Sequence, residues 1–356
     1  MSAATPSPIR VLVIGAGFGA KVHAPGYASD PGYKLVGVAS EHLESAQAAA
    51  AAHGIPYATD DWKKMLDEVD ADLVSVVTPV DLHYPMARAA LERKRHVLLE
   101  KPFALNVAQA KELASLARSQ GVVNAINHEF RYQPARAALT REIQEGRLGR
   151  LEHITIRDQL PGWARDRSRR LTWLTDRQRG GGYLGALGSH HLDTLMLWAG
   201  PIRRLFCSLR SLAPRAAAES PAHQAITADD CITMLLEFEG GATAIVDIFG
   251  GARVRRERFE VFGSEDAMTI LDDRRLARQN AAGGVDLVPI PADLDLPATP
   301  EAPLLAPFRV MIARLKAAIR GEGTVEPTFT EALRIQEALD VARKSDQSGR
   351  WVDIGG

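Results

Sequence analysis

A glycine-rich turn near the start of the chain restricts the possible folds more than any other feature of the sequence. The apolar, β-branched run Ile9–Ile14 leads directly into Gly15-Ala-Gly-Phe-Gly-Ala20. Gly15, Gly17 and Ala20 have G-x-G-x-x-G/A spacing, in which the first glycine permits a tight turn and the second lets the backbone approach a pyrophosphate. An ordinary glycine-rich turn is the alternative. We predict a dinucleotide-binding turn whose cofactor contacts come from Gly15, Gly17, Phe18 and Gly19.

Apolar strands and helices alternate through the first 128 residues. This pattern indicates a parallel sheet covered on both faces, and hence a Rossmann domain over residues 1–128. After the glycine turn a helix begins, which Pro25 and Pro31 are expected to break. The further predicted strands are Lys34–Ala39, Leu73–Thr78, His96–Glu100 and Val122–Asn127. The further predicted helices are Ser45–His53, Trp62–Glu68, Pro85–Lys94 and Val107–Gln120.

Residues 129–356 follow a different pattern, in which several strands succeed one another through short turns. Such a series predicts an α+β domain with an open, largely antiparallel sheet. Gly146 is expected to cap the first helix, and residues 214–225 and 280–303 are expected to be loops. The predicted strands are Leu151–Asp158, Ile202–Arg210, Cys231–Phe238, Thr243–Phe249, Arg258–Phe262 and Met268–Leu271. The predicted helices are Pro134–Glu145, Tyr183–Trp198, Leu304–Arg320 and Phe329–Lys344.

Composition narrows the classes of partner. The 356 residues are 46% hydrophobic and 24% charged, with a formal net charge of −1, so no strong field attracts nucleic acid or an anionic membrane. Cys207 and Cys231 are too few for a disulfide framework and fit a reducing compartment. The first residues lack the pattern of a signal peptide, and no apolar run reaches the ~20 residues of a membrane span. We therefore expect a soluble, cytoplasmic protein that binds small molecules.

The residues after the second predicted strand bear on the choice of nicotinamide cofactor. Ser40 and Glu41 stand where an acidic residue usually binds the adenosine ribose. Glu41 can accept the ribose hydroxyls and repels a 2′-phosphate, whereas Ser40 tolerates a phosphate that His42 or Lys21 neutralises. NADP binding would favour an arginine beside Ser40, and the sequence has none there. Either NAD or NADP is compatible, and the pattern favours NAD.

Two loops follow neighbouring strands of the predicted sheet at the edge where ligands bind. Thr78-Pro-Val-Asp-Leu-His83 follows one strand and Glu100-Lys-Pro102 the next. Lys101 is expected near the nicotinamide ring, where a cation stabilises an alkoxide and passes a proton. A surface lysine at a strand end is the alternative. The cofactor-binding residues predicted from these loops are Thr78, Pro79, His83, Glu100, Lys101 and Pro102.

A second segment with candidate catalytic side chains is Gly180–Asp193, which reads Gly-Gly-Gly-Tyr-Leu-Gly-Ala-Leu-Gly-Ser-His-His-Leu-Asp. On a regular helix Ala186, His190 and Asp193 share one face. His190 is a candidate general base, and the adjacent His191 is expected to be a structural or rim residue. No further ligand supports a metal site at these histidines.

The sequence allows two roles for each of two other segments. Residues 163–173 carry Trp163, Trp173 and four arginines, which suit either a lid over an anionic substrate or a solvated loop with an aromatic anchor. The four arginines are Arg165, Arg167, Arg169 and Arg170, and for most of them the solvated loop is favoured. Trp173 is expected near the pocket. Thr227-Ala-Asp-Asp230 either supplies a carboxylate to the site or caps a turn.

The glycine turn, Glu100–Pro102, Asn127–Arg131 and Gly180–Asp193 together resemble the glucose–fructose oxidoreductase, inositol dehydrogenase and MocA family over nearly the whole chain. The resemblance implies a Rossmann domain and a second domain whose open sheet often forms the interface of a homodimer or homotetramer. It also implies hydride transfer between nicotinamide and a secondary alcohol, or its ketone, of a sugar, cyclitol or related polyol. Lys101 and His190 match the family's lysine and histidine.

One departure from the family pattern affects the expected proton transfer. The family often has an aspartate where this chain has Ala186, which can neither accept a proton nor bind a hydroxyl. His128 is a candidate replacement, and a buried histidine at the end of the first domain is the equal alternative. Transient oxidation without net redox change, through elimination or glycoside cleavage, and a silent cofactor-binding or sensor protein remain open. The predicted catalytic residues are Lys101, His190 and His128, and the predicted substrate-binding residues are Arg131, Trp173, Tyr183, His190 and Asp193.

Overall fold

The computed structural model of the chain describes residues 6–162, 171–212, 226–272, 274–297 and 299–355. Two compact units emerge, the first built from Met1–Glu129 and Pro297–Leu333, the second from Phe130–Leu296 and Arg334–Gly356. The sequence pattern assigned all of 129–356 to the second domain, whereas residues 297–333 group with the first unit. No helix among the described residues is long and apolar enough to span a membrane.

The first unit contains a six-stranded sheet in the order β3-β2-β1-β4-β5-β6, in which every neighbouring pair is parallel. This is the strand order of the Rossmann fold, in which the chain reverses direction across the sheet between β1 and β4 and ligands bind at the carboxyl ends there. The prediction of a parallel Rossmann sheet is confirmed. The strands are β1 Ile9–Ile14, β2 Tyr33–Ala39, β3 Ala58–Thr59, β4 Leu73–Val76, β5 His96–Leu99 and β6 Asn124–Ile126.

Two helices of the first unit begin at a side chain that caps them. Asp61 accepts hydrogen bonds from the backbone of Lys63 and Lys64 at the start of α3, and Asn106 accepts one at the start of α5. Gly121 ends α5 in the left-handed conformation, with φ of 65°. The helices are α1 Ala24–Ala28, α2 Leu43–His53, α3 Trp62–Glu68, α4 His83–Glu92, α5 Val107–Gln120 and α8 Leu305–Ile319.

The expected break at Pro25 is wrong. A π-helical turn at Gly19–His23 runs directly into α1, and Pro25 lies in the first turn of α1, where a missing N–H breaks no helical hydrogen bond. The backbone N–H of Ala24 donates to the carbonyl of Gly19, which widens the turn just before the proline. The segment after the glycine turn is therefore helical as far as Ala28.

Helix α8 packs on the first unit although it lies far along the chain. The ring of Phe308 fills the space beside Gly26, where a β-carbon would lie 2.6 Å from it. The Tyr33 hydroxyl donates to the carbonyl of Ile312 at 2.6 Å, and Lys316 pairs with Asp30. These long-range contacts explain why residues 297–333 group with the first unit.

The second unit contains a nine-stranded sheet in the order β14-β13-β12-β11-β7-β10-β9-β8-β15. Every neighbouring pair is antiparallel except β7 with β10, so the prediction of a largely antiparallel sheet is confirmed. The strands are β7 Leu151–Pro161, β8 Ile202–Arg210, β9 Cys231–Phe238, β10 Thr243–Phe249, β11 Gly251–Gly263, β12 Ala267–Asp272, β13 Arg275–Gln279, β14 Val285–Val288 and β15 Val352–Asp353.

Part of this sheet differs from the prediction. Strand β14 lies within the expected loop 280–303, and β13 was not predicted. Both are short, and β14 buries none of its residues fully, so neither shows the alternation by which sequence reasoning detects strands. Strand β11 begins seven residues before the predicted start at Arg258. The predicted loop 214–225 lies outside the described residues.

One face of the second sheet is covered and the other is open. Along β10, Ala244, Val246 and Ile248 are buried, whereas Ile245 and Phe249 are half-exposed. The buried face contributes to a core shared with helices. These helices are α6 Pro134–Gln144, α7 Ser189–Ala199 and the second part of α9 Phe329–Ser348.

Candidate active site

The glycine turn fits a dinucleotide pyrophosphate for three separate reasons. Gly15 has φ of +113°, and a β-carbon there would lie 2.2 Å from the carbonyl oxygen of Val77. A β-carbon on Gly19 would lie 3.1 Å from Val13, so this glycine permits close packing of the helical turn on β1. A β-carbon on Gly17 would meet no atom within 4 Å. The missing side chain of Gly17 therefore leaves open space that a cofactor can occupy.

Ser40 and Glu41 lie beside this turn at the carboxyl end of β2. The backbone N–H of Gly15 donates to Ala39 at 2.8 Å, and that of Ser40 donates to Thr59 at 3.1 Å. Glu41 is exposed and Ser40 is half-buried. Both residues therefore lie at the edge of the sheet where Rossmann folds bind their ligands.

His83 ties together the two loops that follow β4 and β5. Its Nε2 lies 3.0 Å from the carbonyl oxygen of Thr78 and its Nδ1 lies 3.0 Å from that of Pro102. Burial lowers the pKa of this imidazole despite the nearby carbonyl groups. His83 is fully buried, so it holds in place the backbone of Thr78 and Pro102, two of the loop residues predicted to bind the cofactor.

Glu100 is a buried carboxylate held by several partners. The Asn127 amide donates to its Oε1 at 2.6 Å, and Nε2 of His23 lies 2.9 Å from the same oxygen. Burial raises the pKa of Glu100, but the hydrogen bond and charge of His23, the charge of Lys101 and the Asn127 hydrogen bond outweigh it, and the net pKa is lowered. The ionised carboxylate thus anchors the loop that carries Lys101.

Lys101 and His128 complete the predicted residues of the first unit. Lys101 is partly exposed, and its backbone N–H donates to Oε2 of Glu100 at 3.3 Å. The Lys101–Pro102 peptide is cis. His128 lies two residues beyond the end of β6 and is buried, with its backbone N–H donating to the carbonyl of Ile126 at 2.8 Å. His23 and Ser75 were not predicted, because no local pattern in the sequence relates them to Glu100. Nδ1 of His23 lies 2.8 Å from Oγ of Ser75.

In the second unit the glycine run and Asp229 start the helix that bears His190. A β-carbon on Gly182 would lie 2.3 Å from Asp229, and one on Gly181 would lie 2.4 Å from the carbonyl of Trp173. The Asp229 carboxylate accepts from the backbone of Leu184 at 2.8 Å. Asp230 accepts from Leu212 at 2.8 Å. Of the two roles left open for 227–230, the structure therefore shows capping.

The helix after the glycine run differs from the regular helix expected. Leu184–Gly188 forms a π-helical turn, and α7 begins at Ser189. The regular spacing that placed Ala186 on the face of His190 does not hold across such a turn, because the turn holds more residues. Within α7, His190 and Asp193 are three residues apart and share a face.

A short segment after β6 contacts this face of α7. The rings of Phe130 and His190 are stacked, with centroids 3.8 Å apart and planes 7° apart. Arg131 donates twice to Asp193, through Nε at 2.7 Å and an NH2 group at 2.6 Å. Arg131 and Asp193, both predicted to bind substrate, therefore bind each other.

The remaining predicted residues of the second unit differ in exposure. Tyr183 is buried and precedes the π-helical turn, and Trp173 is half-buried at the start of a 3₁₀ turn, Trp173–Thr175. Trp163 and the four arginines of residues 165–170 lie outside the described residues.

His191 belongs to a buried polar cluster on the covered face of the sheet. Its Nε2 lies 3.5 Å from Oδ2 of Asp158, and Glu257 is close enough for the three side chains to surround an ion. Two cations already neutralise these carboxylates: Arg136 pairs with Glu257, and Arg255 lies 3.6 Å from Asp158. A structural role fits His191, as one of the two roles expected for it.

The Rossmann strand order, the glycine turn and the residues at the carboxyl ends of β2, β4 and β5 define an NAD(P)-dependent oxidoreductase. Residues 9–128 match the family model described as "Oxidoreductase family, NAD-binding Rossmann fold", and residues 137–269 match "GFO/IDH/MocA C-terminal domain". This chain belongs to the GFO/IDH/MocA family of oxidoreductases.

Named relatives and solved structures agree with this assignment. The chain is 26% identical to levoglucosan dehydrogenase of Pseudarthrobacter phenanthrenivorans, over 98% of that protein and 97% of this chain. It is 38% identical to D-glucoside 3-dehydrogenase of Escherichia coli over 55% of each chain. A structure of levoglucosan dehydrogenase with NADH and levoglucosan superposes with a TM-score of 0.87 at 24% identity, covering 98% of this chain and 100% of that one, which shows a shared fold.

Proposed function

We propose that this protein transfers a hydride between nicotinamide and a secondary alcohol of a sugar, cyclitol or related polyol, or reduces the corresponding ketone. The observation that carries the proposal is the glycine turn beside the anchored Glu100–Lys101 loop on a Rossmann sheet. The relatives named for dehydrogenation of levoglucosan and of D-glucosides support a sugar-like substrate. We assign cofactor binding to the first unit and substrate binding to the second.

The residues have distinct roles in this proposal. The turn from Gly15 to Gly19 holds the pyrophosphate, and Ser40 with Glu41 holds the adenosine ribose. The bound nicotinamide supplies the hydride acceptor. His190 accepts the hydroxyl proton, and the Lys101 ammonium stabilises the oxyanion as the hydride leaves the carbinol carbon.

Ala186 leaves one proton-transfer position without an acid or base. His128 is our proposed replacement, since an imidazole exchanges a proton at neutral pH. Trp173 and Tyr183 are proposed substrate contacts, Trp173 through stacking on a sugar face.

The test of this function is a substrate panel followed by the near-ultraviolet absorbance of reduced nicotinamide. Purified protein is mixed with NAD or NADP and with cyclitols, aldoses, glycosides or their keto forms. Steady growth or loss of absorbance with one class supports the proposal. Bound cofactor that is recycled while a glycoside is cleaved would favour transient oxidation, and saturable cofactor binding with no turnover would favour a silent binding protein.

We propose NAD as the preferred cofactor. Exposed Glu41 at the end of β2 repels a 2′-phosphate, so kcat/KM should favour NAD by about tenfold or more, the effect of ~1.4 kcal/mol. Glu41→Gln should reduce this preference, mainly by improving the KM for NADP. Glu44→Gln, an exposed acid in the first turn of α2, is the matched control and should leave the preference unchanged. A wild-type preference for NADP would contradict the proposal.

We also propose a cytoplasmic homodimer or homotetramer that uses the open face of the second sheet. Half-exposed apolar side chains lie there on neighbouring strands, namely Phe206, Leu235, Ile245 and Phe249. Ile245→Lys should shift the mass measured by light scattering toward that of a monomer, because it places a charge in the apolar contact. Ala51→Lys, at an exposed position of α2 in the first unit, should not. A monomeric wild-type protein would exclude this arrangement.

A further inference from the structure

The imidazole of His190 is held by a second ring rather than by its helix alone. Phe130 stacks on it in a nearly parallel arrangement, with ring centroids 3.8 Å apart. Both side chains are almost completely buried, at 7% and 1% exposure. Because rotation of the imidazole out of this plane would drive it into the phenyl ring, the stack restricts the direction in which the ring nitrogens point.

Phe130 also contacts a buried cation. The guanidinium carbon of Arg136 lies 5.0 Å from the centroid of Phe130 and 4.6 Å from that of Phe259. Glu257 pairs with Arg136 and neutralises its charge. The aromatic contacts and this ion pair keep a fully buried arginine in place.

The next residue along the chain fixes the same helix face. Arg131 binds Asp193 through two hydrogen bonds, and Asp193 is three residues beyond His190 on α7. Such paired, planar contacts resist both sliding and rotation of the helix. Consecutive residues of one short segment thus control the plane of the imidazole and the position of its backbone.

We propose that Phe130, supported by Arg136 and Glu257, is a positioning residue that orients the imidazole of His190 for proton transfer. This inference rests on the proposed role of His190. Phe130 acts through the imidazole and needs no contact with substrate or cofactor. Its removal should therefore lower kcat while the KM for substrate and the Kd for NADH change little.

The first test compares two buried phenylalanines of the second unit. Phe130→Leu should lower kcat by about 10- to 100-fold, since misplacing a catalytic group by an ångström can cost that much. Phe238→Leu removes a buried ring on β9 that takes no part in the stack on His190 or in the contacts of Arg136, and should lower the melting temperature while leaving kcat within about twofold. Phe130→Tyr, which keeps the ring, should restore most of the activity. Equal losses of kcat in Phe130→Leu and Phe238→Leu would overturn the proposal.

The second test is a double-mutant cycle with His190→Asn. If Phe130 acts through the imidazole, Phe130→Leu should cause no further loss of kcat once His190 is replaced. Additive losses would show that Phe130 acts by another route and would refute the inference. A wild-type kcat in His190→Asn would instead refute the proposed role of His190, so the two failures are distinguishable.

Discussion

Lys101→Ala should lower kcat by roughly 10³-fold, within the range for loss of a positioned cation or acid–base group, and should change the Kd for NADH by less than about threefold. The substitution removes the charge that stabilises the oxyanion, whereas the glycine turn and the end of β2 remain to bind the cofactor. The backbone of Lys101 is still anchored by Glu100, whose carboxylate is held by His23 and Asn127. The two measurements are single-turnover kinetics and fluorescence titration with NADH.

Two further variants sharpen the interpretation of Lys101→Ala. Lys34→Ala removes an exposed lysine near the start of β2, at the opposite end of the parallel strands, and should leave both quantities unchanged. Lys101→Arg keeps the charge but changes its shape and should recover only part of the rate. Parallel loss of kcat and NADH binding in Lys101→Ala would assign Lys101 to cofactor binding and not to catalysis.

His190→Asn should lower kcat by about 10²- to 10³-fold, the usual contribution of a general base. Asparagine keeps much of the polarity and volume of the imidazole but cannot accept a proton. The pH dependence of kcat that arises from the neutral imidazole should disappear as well, which a loss of stability alone would not cause. Measurement of kcat against pH in both directions of the reaction tests this.

A matched histidine provides the control for His190→Asn. His153 lies on β7 of the same unit, half-exposed, with its Nδ1 2.8 Å from the hydroxyl of Thr243. His153→Asn should therefore retain kcat and its pH dependence. If His190→Asn keeps the pH profile of the unsubstituted protein, another group, with His128 the first candidate, must accept the proton.

Sequence alone predicted the features that depend on local patterns. Apolar runs between turns identified β1, β8, β9 and β10 with their observed bounds, because strand burial repeats along neighbouring residues. The glycine spacing predicted the cofactor turn, because a tight turn and a close approach to a pyrophosphate each require a residue without a side chain at a fixed position. Motif order also led to the correct family, which both family models confirm.

Tertiary structure alone decided which distant residues share a site. The sequence contains no sign that His23 contacts Glu100, because the two residues lie 77 positions apart. It likewise contains no sign that Arg136 pairs with Glu257 beside Phe130, because that pair is separated by 121 positions. The π-helical turns likewise depend on packing: Gly19 lies against Val13, and Asp229 caps Leu184 from another part of the chain. Local sequence determined the elements and the chemistry available, whereas long-range packing determined which groups meet and how His190 is held.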